Sequence, residues 1–83
     1  MKFKAEVKVM LKPSVLDPQG AALERALRSM GRRNVDSVRV GKLIELVLEA
    51  DGAAAAEALA AAWADELLAN PVMEKYSCVV APL

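Results

Sequence analysis

The sequence has 83 residues, with 11 basic and 11 acidic side chains, one cysteine and no histidine. This length predicts a single domain over residues 1–83, and zero net charge argues against nucleic acid or a membrane surface as a partner. The chain has a single cysteine, Cys78, and no apolar run long enough to span a membrane, which predicts a cytoplasmic protein. Its apolar fraction of 55% is more than a small domain can bury, so we expect it to associate with itself or with a permanent partner.

Residues 2–11 form the first predicted element, a strand with one apolar face. Apolar residues occupy every second position, which is typical of a half-buried strand. Pro13 ends the strand because proline cannot donate to a sheet hydrogen bond. The apolar positions are Phe3, Ala5, Val7, Val9 and Leu11.

A helix is predicted to follow, with Asp17 as its cap. The aspartate accepts free backbone N–H groups, and Pro18 fits the first helical position. Gly31 is a plausible helix end. The helix carries one apolar stripe of Leu23, Ala26, Leu27 and Met30.

Residues 35–50 are predicted to form a β-hairpin. A three-residue loop, Gly41-Lys42-Leu43, places Val38 and Val40 on one face with Ile44, Leu46 and Leu48. A two-residue loop would bring Glu45 opposite Val38, so the apolar pattern favours the longer loop.

An alanine-rich second helix is predicted from Ala53 to about Leu68, with Asn70-Pro71 as its terminator. Leu59, Trp63 and Leu67 recur every four positions and form one narrow stripe. A last strand is predicted over residues 72–80.

The order β-α-β-β-α-β predicts an α+β, two-layer, ferredoxin-like fold. We expect an antiparallel four-stranded sheet with both helices on one face. The other face mixes charged and large apolar residues, which is typical of an interface. Its residues are Lys4, Lys8, Met10, Glu45, Val47, Glu49, Met73, Lys75 and Val79.

Charge is distributed unevenly along the chain. Residues 1–42 hold 10 basic and 4 acidic side chains, a net charge of +6, and residues 43–83 hold 1 and 7, a net charge of −6. The simpler interpretation is that the two halves interleave in one fold and neutralise each other.

The residue types needed for catalysis are missing. Without histidine no Ser-His-Asp triad can form, and Cys78 is expected to be a small buried hydrophobe. The chain has no phosphate-loop motif, and Asp17 places a negative charge where a phosphate would bind. We therefore expect no catalytic, cofactor or metal residues, and a hydrolase is excluded.

Two cations at the predicted hairpin tip leave two interpretations open. Arg39 and Lys42, on either side of Gly41, are ordinary solvated loop residues or a docking point for an acidic partner surface.

Three segments resemble the PurS family, namely residues 14–20 (SVLDPQG), 38–46 (VRVGKLIEL) and 67–76 (LLANPVMEKY). The resemblance implies a homodimer associated through its sheets, and it leaves open whether two dimers form a tetramer. It also implies a non-catalytic subunit of phosphoribosylformylglycinamidine synthase, which makes FGAM in purine biosynthesis. Such a subunit would hold the synthetase PurL and the glutaminase PurQ together and assist ammonia transfer, with ATP and magnesium belonging to the large subunit.

Six residues are predicted to contact those partners: Ser14, Asp17, Gln19, Arg39, Gly41 and Lys42. The alternative function is a stand-alone dimeric ferredoxin-like sensor that binds a small molecule between its chains. Fold analogy is the only support for that alternative.

Overall fold

A computed structural model describes all residues, 1–83. The strands are β1 (Lys2–Leu11), β2 (Gly41–Glu49) and β3 (Glu74–Pro82). The helices are α1 (Pro18–Ser29) and α2 (Ala53–Trp63), and α2 continues into a π-helical turn (Ala64–Leu68). None of the helices has the length and apolar character to cross a bilayer.

Strand β1 lies at the centre of a three-stranded antiparallel sheet with the order β2-β1-β3. Val7 pairs with Ile44 on one side and with Cys78 on the other. The predicted apolar face of β1 is confirmed from Phe3 to Val9, because all four of its apolar side chains there are at most 1% exposed.

The prediction of a fourth strand is wrong. The hairpin does not form: Gly41 is already the first residue of β2, opposite Met10, and residues 35–40 run into it without a turn or a sheet partner. The alternation of apolar and polar residues could not distinguish a straight strand from a hairpin. Even-numbered residues 38 to 48 share one face in a straight strand as well as in a hairpin with a three-residue loop.

Helix α2 packs on the sheet through alanines. Ala56, Ala60 and Ala64 are fully buried, and they recur every four residues along one face. The π-helical turn, closed by the N–H of Ala69 donating to the carbonyl oxygen of Ala64 at 2.8 Å, adds Ala69 to the buried side. The predicted stripe of large apolar side chains lies outside this contact, since Leu59 and Trp63 are each 38% exposed and Leu67 is 82% exposed.

Helix α1 does not cover the sheet, so the prediction of both helices on one face is wrong. Gly20 is its only buried residue. The molecule is 51 Å long. This length is close to that of β1, about 34 Å, and α1, about 18 Å, placed end to end. Its radius of gyration is 16.2 Å, against about 12 Å for a compact chain of this length. Without a turn at Gly41, α1 is carried beyond the end of the sheet.

Candidate partner-contact site

Asp17 joins the start of α1 to the segment before β2. Its carboxylate accepts the N–H of Gly20 at 2.9 Å and the N–H of Val40 at 2.7 Å, and it is almost completely buried. These two backbone hydrogen bonds, that of Val40 first, hold the pKa of Asp17 below its usual value, with a smaller contribution from the nearby Arg39 charge. The prediction of Asp17 as the helix cap is confirmed. Its hydrogen bond with Val40, which is 23 residues away in the chain, could not be predicted from the sequence.

Arg39 closes the same junction from the other side. Its Nη2 atom lies 3.0 Å from the carbonyl oxygen of Lys12 and 3.3 Å from that of Val15, while its Nε atom lies 4.0 Å from Asp17 Oδ2. We call this arrangement, Asp17 and Arg39 with the backbone groups they bind, the clasp. It fixes the 12–17 loop, the start of α1 and the entry to β2 relative to one another.

Two glycines allow the chain segments of the clasp to approach each other. A Cβ atom on Gly20 would lie 2.7 Å from Asp17 Oδ2 and closer still to the carbonyl oxygen of Val38. A Cβ atom on Gly41 would lie 2.5 Å from the carbonyl oxygen of Val9 and would overlap the Met10 sulfur. Any larger residue at either position would force the neighbouring backbone to move. In the sequence, the presence of glycine at these two positions was the only sign of this close approach.

An open cleft of about 410 Å³ lies beside the clasp. Gln19, Lys42 and Glu74 contribute polar groups to its wall, and Val9 and Val40 are among its apolar residues. These groups can bind a polar segment of another protein, and the wall of the cleft contains no serine, threonine or cysteine side chain. No set of three His, Cys, Asp or Glu side chains is placed to hold a metal ion.

The structure brings four of the six predicted contact residues to this cleft, and they are Asp17, Gln19, Gly41 and Lys42. Arg39 lines a smaller neighbouring cleft, and Ser14 is exposed in the 12–17 loop. Glu74 was not predicted. Its position at the start of β3, opposite Leu11, follows from the strand register, which the sequence alone did not define.

The sheet face opposite α2 is a second exposed surface. Val47 and Val79 are each 62% exposed there, among charged side chains. Lys4 Nζ lies 3.6 Å from Glu6 Oε1 and 3.4 Å from Glu45 Oε1. The predicted mixture of charged and apolar residues is present on this face.

Cys78 lies on the α2 side of β3 and is partly buried. Burial, with a smaller contribution from the negative charge of Glu57, raises the pKa of its thiol. The thiol is therefore protonated at neutral pH and is a poor nucleophile.

Residues 4–82 match the family model PurS, described as phosphoribosylformylglycinamidine (FGAM) synthase. The chain belongs to the PurS family. A Synechocystis sp. protein named phosphoribosylformylglycinamidine synthase subunit PurS is 42% identical over 98% of this chain and 81% of its own length.

Solved PurS structures have the same fold. Thermus thermophilus PurS is 42% identical with a TM-score of 0.87, and the match covers 100% of this chain and 99% of that one. A chain in the structure of PurLQS from Thermotoga maritima is 34% identical with a TM-score of 0.88, covering 98% of this chain and 99% of that one.

Proposed function

We propose that this chain is the PurS subunit of phosphoribosylformylglycinamidine synthase in purine biosynthesis. The observation that carries the proposal is the family match over residues 4–82, together with the similarity to a chain of the Thermotoga maritima PurLQS structure. The chain acts as a non-catalytic subunit that holds PurL and PurQ counterparts together and assists ammonia transfer between them.

The clasp and its cleft are the proposed contact site for those partners. Gln19 and Lys42 are exposed at the cleft, so they can bind a partner directly. Three other residues act by holding the shape of the clasp. The side chains of Asp17 and Arg39 already make hydrogen bonds within the chain, and Gly41 packs closely against β1. Ser14 extends the surface along the 12–17 loop.

Self-association belongs to the same proposal. The exposed apolar side chains on the sheet face opposite α2, including Val47 and Val79, support pairing of two chains as a homodimer or of two dimers as a tetramer. We further propose that ATP and magnesium bind the large subunit and that the assembly acts in the cytoplasm.

The contact site is tested by co-expressing the chain with PurL and PurQ from the same source and purifying the complex with ADP and glutamine. We expect Lys42→Glu to abolish co-purification, because it replaces the one cation of the cleft with a negative charge. The control is Lys2→Glu, an exposed lysine at the far end of β1. Normal co-purification of Lys42→Glu would remove the cleft from the contact site.

A further inference from the structure

The sheet face opposite α2 has two halves that differ in charge. In one half Lys4 is paired with two carboxylates, since its Nζ atom lies 3.6 Å from Glu6 Oε1 and 3.4 Å from Glu45 Oε1. In the other half, where β1 ends and β3 begins, Lys8 and Lys75 are exposed and make no ion pair. Positive charge is therefore uncompensated at this end of the sheet.

The strand register brings the two unpaired lysines together. Lys8 of β1 lies opposite Ser77 of β3, and Met10 lies opposite Lys75. Alternate residues of a strand share a face, so all four side chains point away from α2. The Cβ atoms of directly opposite side chains are about 5 Å apart, and those of diagonal neighbours such as Lys8 and Lys75 about 7–8 Å. The two ammonium groups and the Ser77 hydroxyl can therefore converge on one small ligand.

Two adjoining cavities lie at this end of the face. One, of about 310 Å³, has Lys8, Lys75 and Ser77 in its wall. The other, of about 270 Å³, is lined by Arg39, and Met10 and Lys75 belong to both. Neither cavity is lined by an acidic side chain. We call these five residues the cationic site.

Arg39 contributes to the cationic site although it also belongs to the clasp. Its hydrogen bonds to backbone carbonyl oxygens all use Nη2, and its Nε atom faces Asp17. The Nη1 atom makes no hydrogen bond within the chain, so it can donate to a ligand.

The groups of the cationic site suit a phosphate group. Ammonium and guanidinium groups are donors only, and a serine hydroxyl can donate as well. A phosphate monoester carries about two negative charges near pH 7 and three strong acceptor oxygens. It can therefore accept a charge-assisted hydrogen bond from each lysine and a third bond from Ser77. The start of α1, where a phosphate could otherwise bind, is already occupied by Asp17.

We infer that the cationic site binds the phosphate group of a small molecule. Lys8 and Lys75 donate to the phosphate oxygens, Ser77 donates the third hydrogen bond, and Arg39 adds positive charge beside Met10. A nucleotide and free phosphate share this chemistry, and both are possible sources of the group.

The cationic site is separate from the surfaces proposed for other chains. The clasp cleft, with Val9 in its wall, opens on the α2 side of the sheet. Val47 and Val79, which are proposed to pair two chains, lie opposite Lys4 and Glu6 in the other half of the face. The inference therefore goes beyond the proposed function and does not depend on it.

Titration of the full chain with AMP tests the site. In amide NMR spectra we expect saturable shifts confined to residues 8–10 and 75–77, and none with adenosine, which lacks the phosphate. Inorganic phosphate separates the two sources. Tighter binding of AMP would identify a nucleotide as the ligand, and equal or tighter binding of inorganic phosphate would identify free phosphate.

Three results of this titration would overturn the inference. They are the absence of saturable shifts with either phosphate compound, equal shifts with adenosine, and equal affinity for succinate. Succinate is a dicarboxylate of similar charge, so equal affinity would show that the lysines attract any anion.

Charge variants locate the binding. Lys8→Gln and Lys75→Gln should each weaken phosphate binding about tenfold, because each removes a charge-assisted hydrogen bond. Lys2→Gln is the matched control, since Lys2 lies on the same strand and face but about 20 Å from Lys8. That distance exceeds the screening length of about 8 Å at physiological ionic strength, so its affinity should be unchanged. Equal weakening by all three variants would overturn the site, because binding would then follow net charge alone.

Discussion

Helices α1 and α2 have similar lengths and each carries an apolar stripe, yet only α2 is covered within the chain. The contact is made by alanines, and the larger Leu59 and Trp63 of α2 remain accessible, as does Leu23 of α1. Helix α2 therefore packs on the sheet through small side chains, while large apolar side chains of both helices stay accessible to other chains.

The largest expected effect lies beneath α2. Leu48 is 6% exposed and packs with Ala56 and Ala60. We expect Leu48→Ala to lower the free energy of unfolding by about 2–5 kcal/mol, because it leaves a cavity in the core. Urea unfolding followed by circular dichroism measures the loss.

Leu67→Ala is the matched control for that substitution, since Leu67 is 82% exposed in the π-helical turn that follows α2. It should change the free energy of unfolding by less than about 0.5 kcal/mol. Equal losses for the two variants would contradict the distinction between covered and uncovered surfaces.

A smaller effect is expected where the chain passes straight into β2. Gly41→Ala places a Cβ atom against Met10 and the Val9 backbone and should cost about 1–3 kcal/mol. Gly52→Ala serves as the control for steric overlap, because no atom beyond its own chain neighbours lies within 4 Å of its added Cβ. Thermal unfolding of the two variants side by side checks the prediction, which fails if Gly41→Ala is as stable as Gly52→Ala.

The smallest effect depends on pH and concerns the anchoring of α1. The folded pKa of Asp17 lies below its unfolded value, which is about 3.9. The stability that its charge contributes is therefore complete above that value and is lost as pH falls through the folded pKa. Asp17→Asn should be less stable than wild type at pH 7, and the difference should shrink toward pH 2.

Urea midpoints measured from pH 7 to pH 2 test this dependence. Asp51→Asn is the control, because Asp51 is exposed and makes no ion pair. A difference between wild type and Asp17→Asn that stays constant over the whole range would show that the charge of Asp17 does not stabilise the clasp.

Much of the fold could be predicted because local rules act within each element. Alternation defined β1, the Asp17-Pro18 pair defined the start of α1, and Gly31 ends it with a φ of 85°. The last strand was predicted two residues too early at each end, since β3 spans Glu74–Pro82.

The arrangement of the elements could not be predicted, for two physical reasons. A straight strand and a hairpin with a three-residue loop place Val38 and Ile44 on the same face, so alternation gave no warning that the turn was missing. In α2 the alanines lie on several faces, and only the packed structure shows that Ala56 and Ala60 are the buried ones.

The candidate site was predicted in part. Residues from all three family-like segments meet at one cleft, with Gln19 and Lys42 among those predicted and Glu74 not predicted. The structure gives Arg39 internal backbone contacts, and its contact with a partner stays a prediction. These contacts join residues far apart in the sequence, so they depend on the tertiary fold and not on a local motif.

The most direct test of the central claim is a reconstitution of glutamine-dependent FGAM synthesis from purified PurL and PurQ counterparts, with and without this chain. If the chain is the PurS subunit, stable assembly and glutamine-dependent turnover both require it, and ammonia-dependent synthesis by the large subunit does not. Full glutamine-dependent activity in its absence would contradict the account.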